Sequence, residues 1–398
     1  MSKINPHILV SGASVSGLTV AFWLSHYGFD VTVVEKAPQL RPGGQALDVR
    51  GAAAVEVANR MGVLDTIRAR STKLAGMSMV DASGKEIFRS EERSLTGGKF
   101  DSPSVEILRD HLVDVLYEAV RDQAEFIFGD SIASLSQDHA GVDVTFVAAP
   151  PRRFDLVIGA DGVRSNVRRL AFGPDENFIR YLGSYIAVFS VPNFLGLDHW
   201  QVFCQEGEIG GGLLVMAKED PARTYLGFNS AEPLAYDYRD IAAQKQLLTD
   251  RITGAGWVFP QLLTHMRDTP DFYFDSINQI RMDHWSAGRV ALLGDAGYAV
   301  SLSTGQGTSV AMVAAYVLAG ELATHKGDPL AGLRSYEEAL RDYVVRNQAL
   351  VDQRSLPDAP SSDEAAGGDA MIDPDSVPDY NERAVPFDLK SYEELSGS

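Results

Sequence analysis

The chain has 398 residues, 45% of them hydrophobic, enough to bury a large core in two domains or one elaborated domain. Its net charge of −19 excludes a basic face for nucleic acid. Its single cysteine, Cys204, excludes an internal disulfide and any cysteine cluster for zinc or iron–sulfur.

Residues 7–11 read as a short buried strand, 17–27 as a helix and 30–35 as a second apolar strand, a βαβ opening. A helix is expected over 51–70, a hairpin around Ala82-Ser83-Gly84, a helix from Arg109, and three or four strands between 125 and 159. Between 183 and 230, apolar runs alternate with Gly, Pro and Asn breaks, the pattern of a mostly antiparallel sheet. Helices follow at 240–251 and 256–266, a strand at 272–281, a strand at 289–293, a long helix from about Thr304 and an amphipathic helix over 330–353. Gly210-Gly211-Gly212 reads as a strand or hairpin cluster.

Beyond residue 356 the chain is rich in Pro, Asp, Ser and Gly and reads as loose or surface-draped. Residues 357–398 hold eleven acids against Arg383 and Lys390, so nine of the nineteen net negative charges lie there. The longest apolar run, 310–319, is shorter than the roughly 18 residues of a bilayer span. The first motif begins by residue 12, which leaves no length for a cleavable leader, so a cytoplasmic protein without a membrane partner is expected.

Three glycine-centred motifs carry chemistry. Gly12-Ala13-Ser14-Val15-Ser16-Gly17 follows the first strand and opens the first helix. Such a loop turns tightly and presents helix N–H groups to a pyrophosphate; Ser14 replaces the middle glycine and adds a hydroxyl. Glu35 ends the second strand, where an acid accepts hydrogen bonds from an adenosine ribose and disfavours a 2′-phosphate. This much indicates FAD or NAD. Asp161-Gly162 and Gly294-Asp295 each end an apolar strand, where a carboxylate can meet sugar-type hydroxyls while glycine gives the backbone room. Gly305-Gln306-Gly307 then supplies a glycine-rich helix start, able to face a pyrophosphate or a negative charge developing on a flavin ring.

In this order and spacing the motifs resemble the group A flavoprotein monooxygenases, the para-hydroxybenzoate hydroxylase-like family, over about residues 5–350. The resemblance implies a Rossmann-like α/β FAD-binding domain with an inserted, mostly antiparallel substrate sheet and a C-terminal helix. The expected boundaries are 1–180 for the first FAD-binding part, with a substrate-side insertion near 72–105, then 181–282 for the sheet domain. Residues 283–328 close the FAD-binding domain, 329–356 form the terminal helix and 357–398 the tail.

It also implies that Gly12, Gly17 and Glu35 hold the adenosine half of FAD, and that Asp161-Gly162 serves FAD and a transiently docked NAD(P)H. Gly294 and Asp295 hold the ribityl chain, Arg109 lies near the phosphates, and Lys36 is the basic residue that follows the ribose acid. The segment from Gly43 through Gln45 to Asp48 is similar to the tetracycline-inactivating and antibiotic-tailoring monooxygenases. Two positions depart from the family: Leu302-Ser303 stands where a proline is usual, and Ala314-Ala315 where Asp-Ala is usual.

The implied reaction reduces FAD with NADH or NADPH, forms a flavin C4a-hydroperoxide from O2 and hydroxylates an aromatic, polyketide or antibiotic-like substrate. No side chain is named as catalytic; Arg50, His199, Phe203 and Phe228 are candidates for the substrate site, and no metal site is expected. A flavin dehydrogenase or cyclase without oxygen transfer, and a flavin- or drug-sequestering protein, are the competing readings. A monomer or a homodimer is expected.

Overall fold

A computed structural model of the protein describes residues 5–353, 383–392 and 394. It opens with β1 (His7–Ser11), α1 (Val15–His26) and β2 (Asp30–Glu35), then β3 (Ala46–Val49). The helix expected over 51–70 is two, α2 (Gly51–Arg60) and α3 (Leu64–Ala69). Gly62 adopts φ +71, and the N–H groups of Gly62 and Val63 turn back to the carbonyls of Asn59 and Ala58, which closes α2.

Strands β4 (Gly76–Val80) and β5 (Glu86–Ser90) form the expected hairpin, followed by a short pair, β6 (Arg93–Ser94) with β7 (Gly98–Lys99). Next come β8 (Val105–Leu108) and α4 (Arg109–Val120). The three or four strands expected up to residue 159 are five: β9 (Glu125–Phe128), β10 (Ile132–Gln137), β11 (Val142–Phe146), β12 (Arg152–Phe154) and β13 (Leu156–Gly159). The extra break falls at Asp155, where the chain leaves a three-stranded sheet and enters the main one.

After α5 (Asn166–Ala171) run β14 (Ile179–Val191), β15 (Trp200–Glu206), β16 (Ile209–Val215) and β17 (Ala222–Asn229). Helices α6 (Ile241–Ile252) and α7 (Phe259–Met266) precede β18 (Tyr273–Ile280), β19 (Ser286–Ala287) and β20 (Val290–Leu292). The chain then forms α8 (Asp295–Tyr298), α9 (Gly307–Thr324) and α10 (Pro329–Ala349).

Two sheets organise the molecule. The first has the order β19-β20-β13-β1-β2-β9, parallel except at the β19 edge. Its strands are apolar throughout because both faces are covered. Ile8 and Val10 meet the helices α1, α4 and α9, whereas Leu9 on the other face meets Val142, Val144 and Phe154 of the small sheet. Helix α9 is long and apolar enough to cross a bilayer by length and composition, yet 83% of it is buried in this core.

The second sheet has the order β18-β14-β17-β16-β15-β4-β5 and is antiparallel except between β15 and β4. Side chains alternate between its two faces. Ala222, Leu226 and Phe228 of β17 pack outward with Phe189 and with Leu248 and Phe259 of α6 and α7. Phe203 and Tyr225 pack inward with Leu108 of the first unit. Phe203, Gly212 and Tyr225 lie in register across three strands. A Cβ on Gly212 would come 2.4 Å from the Phe203 ring, so the glycine lets the two rings approach to 6.0 Å.

Part of the C-terminal stretch is firmly packed. Val385, Phe387 and Leu389 lie against the first core, and the buried Tyr392 hydroxyl donates to Glu321 at 2.6 Å. The expectation of a loose stretch over 357–382 lies outside the described residues.

Candidate active site

The glycine loop leaves β1 and enters α1. Gly12 takes φ +108, and a Cβ there would come 2.5 Å from the Ala160 carbonyl oxygen; one on Gly17 would come 1.9 Å from the Gly12 carbonyl oxygen. Strand, loop and helix are packed at a distance only glycine permits. Ser14 is the N-cap of α1 but does not use its hydroxyl as a cap, so that hydroxyl and the first helical N–H groups suit an anion.

At the end of β2, Glu35 accepts from the Ala13 amide at 2.8 Å and the Ala37 amide at 2.9 Å. Two amides fix the carboxylate, and each oxygen retains lone-pair capacity for a sugar hydroxyl. Lys36 beside it is exposed.

The loop after β2 is shaped by Arg109. Its guanidinium donates to the carbonyls of Arg41 at 2.6 Å and Gly43 at 2.8 Å, and the Arg109 amide donates to Gln45 at 3.0 Å. A Cβ on Gly44 would come 2.3 Å from Arg109 Nε, so the loop crosses the arginine only as glycine. Burial and the nearby Arg41 lower the Arg109 pKa. Attraction to an added anion would relieve that unfavourable setting.

The same loop is latched to the second sheet. Arg223 of β17 pairs with Asp271 at 3.0 Å and Asp110 at 3.4 Å, and Asp110 accepts from the Gly43 amide at 2.8 Å. The Tyr225 hydroxyl accepts from the Ala46 amide at 2.7 Å.

Asp161 and Asp295 emerge from neighbouring strands but are used differently. Asp161 accepts from the Ser165 hydroxyl and from the amides of Asn166 (2.8 Å) and Val167 (3.1 Å), so it is committed to the start of α5. Gly162 beside it has φ +80 with open space where a side chain would stand. Asp295 follows Gly294, at φ +63, and opens α8. The residue is solvent-accessible although surrounded by protein, and desolvation pushes its carboxyl up to about 6.

Gly305, at φ +65, turns the chain into α9; Gln306 is its N-cap, and a Cβ on Gly307 would meet nothing within 4 Å. The buried Gln306 Nε2 has no hydrogen-bond partner among the described residues. Just upstream, Ser301 holds φ +90, a strained value for a residue with a side chain. This turn precedes Leu302-Ser303.

Beside β3 and β8 lies an open-sided cavity of about 400 Å³, lined by Asp48 and by residues of the 68–74 and 94–106 segments. Its floor was not anticipated. Strands β3 and β8 pair antiparallel and set Asp48 directly opposite Glu106. Asp48 forms an ion pair with Arg50 at 2.9 Å. Arg50, 2% exposed, also donates to the carbonyls of Thr96 (3.1 Å), Gly97 (3.3 Å) and Gly305 (3.4 Å). Glu106 accepts from the hydroxyls of Thr72, at 2.8 Å, and Thr96. Burial raises both carboxyl pKa values, Arg50 opposes the rise at Asp48, and Asp48 adds to it at Glu106.

The substrate candidates divide. Arg50 and Phe203 adjoin this region without lining it: Arg50 pairs with Asp48, and Phe203 packs in one cluster with Leu74 of the cavity wall. His199 does not join it: it is partly exposed, holds φ +49 before β15, and pairs with adjacent Asp198 at 2.9 Å. Phe228 lies on the outer face of the second sheet, stacked on Tyr185 at 5.2 Å. Two-residue alternation already separates Phe228 from Tyr225, which was the available signal for the inward-facing Arg223 and Tyr225.

An α/β unit with a dinucleotide loop, joined to a mostly antiparallel second sheet, defines the class of FAD-binding flavoproteins. Residues 6–350 match the FAD binding domain family, and the chain belongs to that family. It is 49% identical over 353 residues to an uncharacterized protein of Mycobacterium tuberculosis (strain ATCC 25618 / H37Rv), covering 89% of this chain and 94% of that one. It is 42% identical over 368 residues to a flavin-dependent monooxygenase of an unknown prokaryotic organism, covering 91% and 94%. The crystal structure of tetracycline destructase Tet(55) superposes with a TM-score of 0.84 at 38% identity, covering 98% of this chain and 100% of that chain. The protein is an FAD-dependent monooxygenase.

Proposed function

We propose that this enzyme takes electrons from NADH or NADPH and places one atom of O2 on a phenolic or enolic ring of a polyketide-like or antibiotic-like substrate, the second atom leaving as water. One observation carries the reading: the start of α9 and the chamber share Arg50, hydrogen-bonded to Gly305 on one side and ion-paired with chamber-lining Asp48 on the other. The likeness to a tetracycline destructase supports the substrate class. A cavity of about 400 Å³ suits a drug-sized ligand.

The donor set fits FAD. Glu35 would hold the adenosine ribose; Arg109, Ser14 and the start of α1 would hold the pyrophosphate; Asp295 would hold the ribityl hydroxyls. Gly305, Gly307 and the α9 N–H groups would meet the polar edge of the ring, and Gln45 lies on the Arg109-shaped loop. Gly12, Gly17, Gly162 and Gly294 keep backbone where a side chain would stand. Asp161 serves through α5, by fixing the turn that carries Gly162. Bound FAD supplies the two-electron chemistry and the activation of O2. The chain's own task is to hold the substrate ring against that site and exclude water.

The test is NAD(P)H consumption in air by FAD-loaded protein, with and without phenolic polyketides including tetracyclines. Stimulated consumption with a product heavier by one oxygen is expected; stimulated consumption without oxygen in the product would overturn the reading. Asp295→Ala separately tests the site map: FAD affinity should fall at least about tenfold, the loss of roughly one or two hydrogen bonds.

A further inference from the structure

The chamber floor holds two acids that face each other across β3 and β8. We propose that Asp48 and Glu106 form one proton-holding unit facing the chamber, which takes up the proton that a substrate hydroxyl gives up on binding. The role rests on the phenolic or enolic substrate reading above. The proton moves from the substrate oxygen to a Glu106 carboxylate oxygen, and no other bond changes.

Three observations converge. Both acids line the cavity. Asp48 is 6% exposed, and its Oδ1 has no hydrogen-bond partner among the described residues, so one oxygen of a buried carboxylate is left to be met by a donor. Arg50 is a single guanidinium beside two facing carboxylates, and like charges this close favour one shared proton.

The surrounding groups fit that function. Thr72 and Thr96 donate to Glu106 from two different segments and fix its carboxyl plane. Tyr225 of β17 lies near enough to Glu106 and Asp48 for their charges to oppose its ionisation, with Arg223 behind it acting in the opposite sense. Arg68, Lys73 and Lys99 line the cavity from exposed positions, where an ionised ring oxygen would gain from their charge. Accepting a proton inside and offering positive charge outside both favour the anionic form of a ring hydroxyl.

Infrared difference spectra of the FAD-loaded protein between about pH 5 and about pH 9 read carboxyl protonation directly. Wild type should show a carboxylic-acid band that fades through neutral pH, is absent in Glu106→Gln and is displaced in Asp48→Asn. A second arm uses 4-cyanophenol at about pH 7.5, where the free phenol is largely protonated. On wild type its ultraviolet spectrum should become that of the phenolate, with no proton appearing in the buffer by calorimetry; in Glu106→Gln the phenol should stay protonated or release its proton to the buffer. The proposal is overturned if no such band titrates, if both variants keep it, or if wild type binds the phenol protonated. Failure of 4-cyanophenol to bind, with a band still dependent on Glu106, would refute the aromatic-hydroxyl reading and reduce the pair to a structural acid.

Discussion

The surroundings of two carboxylate sites, Glu35 and the Asp48–Glu106 pair, differ in kind. Glu35 is held by two backbone amides from residues close in sequence, at 2.8 and 2.9 Å. Asp48 and Glu106 are held by an arginine and two threonine hydroxyls and brought opposite each other by strand register, 58 positions apart, with one Asp48 oxygen unpartnered among the described residues. Backbone amides cannot be titrated or displaced, so the first site is a fixed acceptor. The second can answer to pH because its partners are side chains and burial raises both of its carboxyl pKa values.

The sharpest way to break the fixed end is Gly17→Ala. A Cβ 1.9 Å from a backbone carbonyl has nowhere to go, so the loop must open. Flavin content after purification should drop to near background, with a stability loss of about 3 kcal/mol or more by denaturant titration. At the chamber end, Arg50→Ala leaves Asp48 buried and unpaired; a loss of about 3–5 kcal/mol is expected in the same assay. Flavin should be retained better there than in Gly17→Ala, which separates the two ends.

Glu106→Gln sharpens the contrast through pH. Burial raises both chamber carboxyls in the fold, Asp48 to about 6 and Glu106 to about 7, above their ordinary values of 3.8 and 4.5. The folded state therefore binds more protons than the unfolded state between about pH 4 and about pH 7, and stability falls as pH rises through that window. Glu106→Gln should flatten the fall by about 1–2 kcal/mol in melts across the window. A wild-type profile with no such slope would contradict the burial of this pair. His199→Ala is the smallest effect, within about 0.5 kcal/mol and without change in FAD affinity, because His199 is partly exposed and bonded to its neighbour.

The same contrast explains what the sequence could disclose. The loop from Gly12 to Gly17 and Glu35 belong to one contiguous βαβ unit, so their spacing in the chain fixes their spacing in space. Asp48 and Glu106 become neighbours only through the β3–β8 register, and the Arg223–Asp271–Asp110 latch joins three separate elements. No local pattern marks such pairings. Phe203 and Phe228 look alike in sequence, and only strand register sends one inward against Leu108 and Tyr225 and the other under α6 and α7. Asp161 illustrates a different limit: an Asp-Gly at a strand end suits a ligand and a helix start equally, and here Ser165, Asn166 and Val167 take the carboxylate.

Helix α9 gives the cleft a mechanical connection to the protein's exterior. Its 18 residues make a rod about 27 Å long, with Gly305 and Gly307 at one end. Near the other end, Tyr392 lies against Gly320, and Tyr392 and Lys390 both bond to Glu321. A slide of the rod by a fraction of an ångström as the cleft fills would be felt at that clasp, where Lys390 remains more than half exposed. A dye attached at Lys390 would serve as a gauge needle for cofactor and substrate arriving out of its sight.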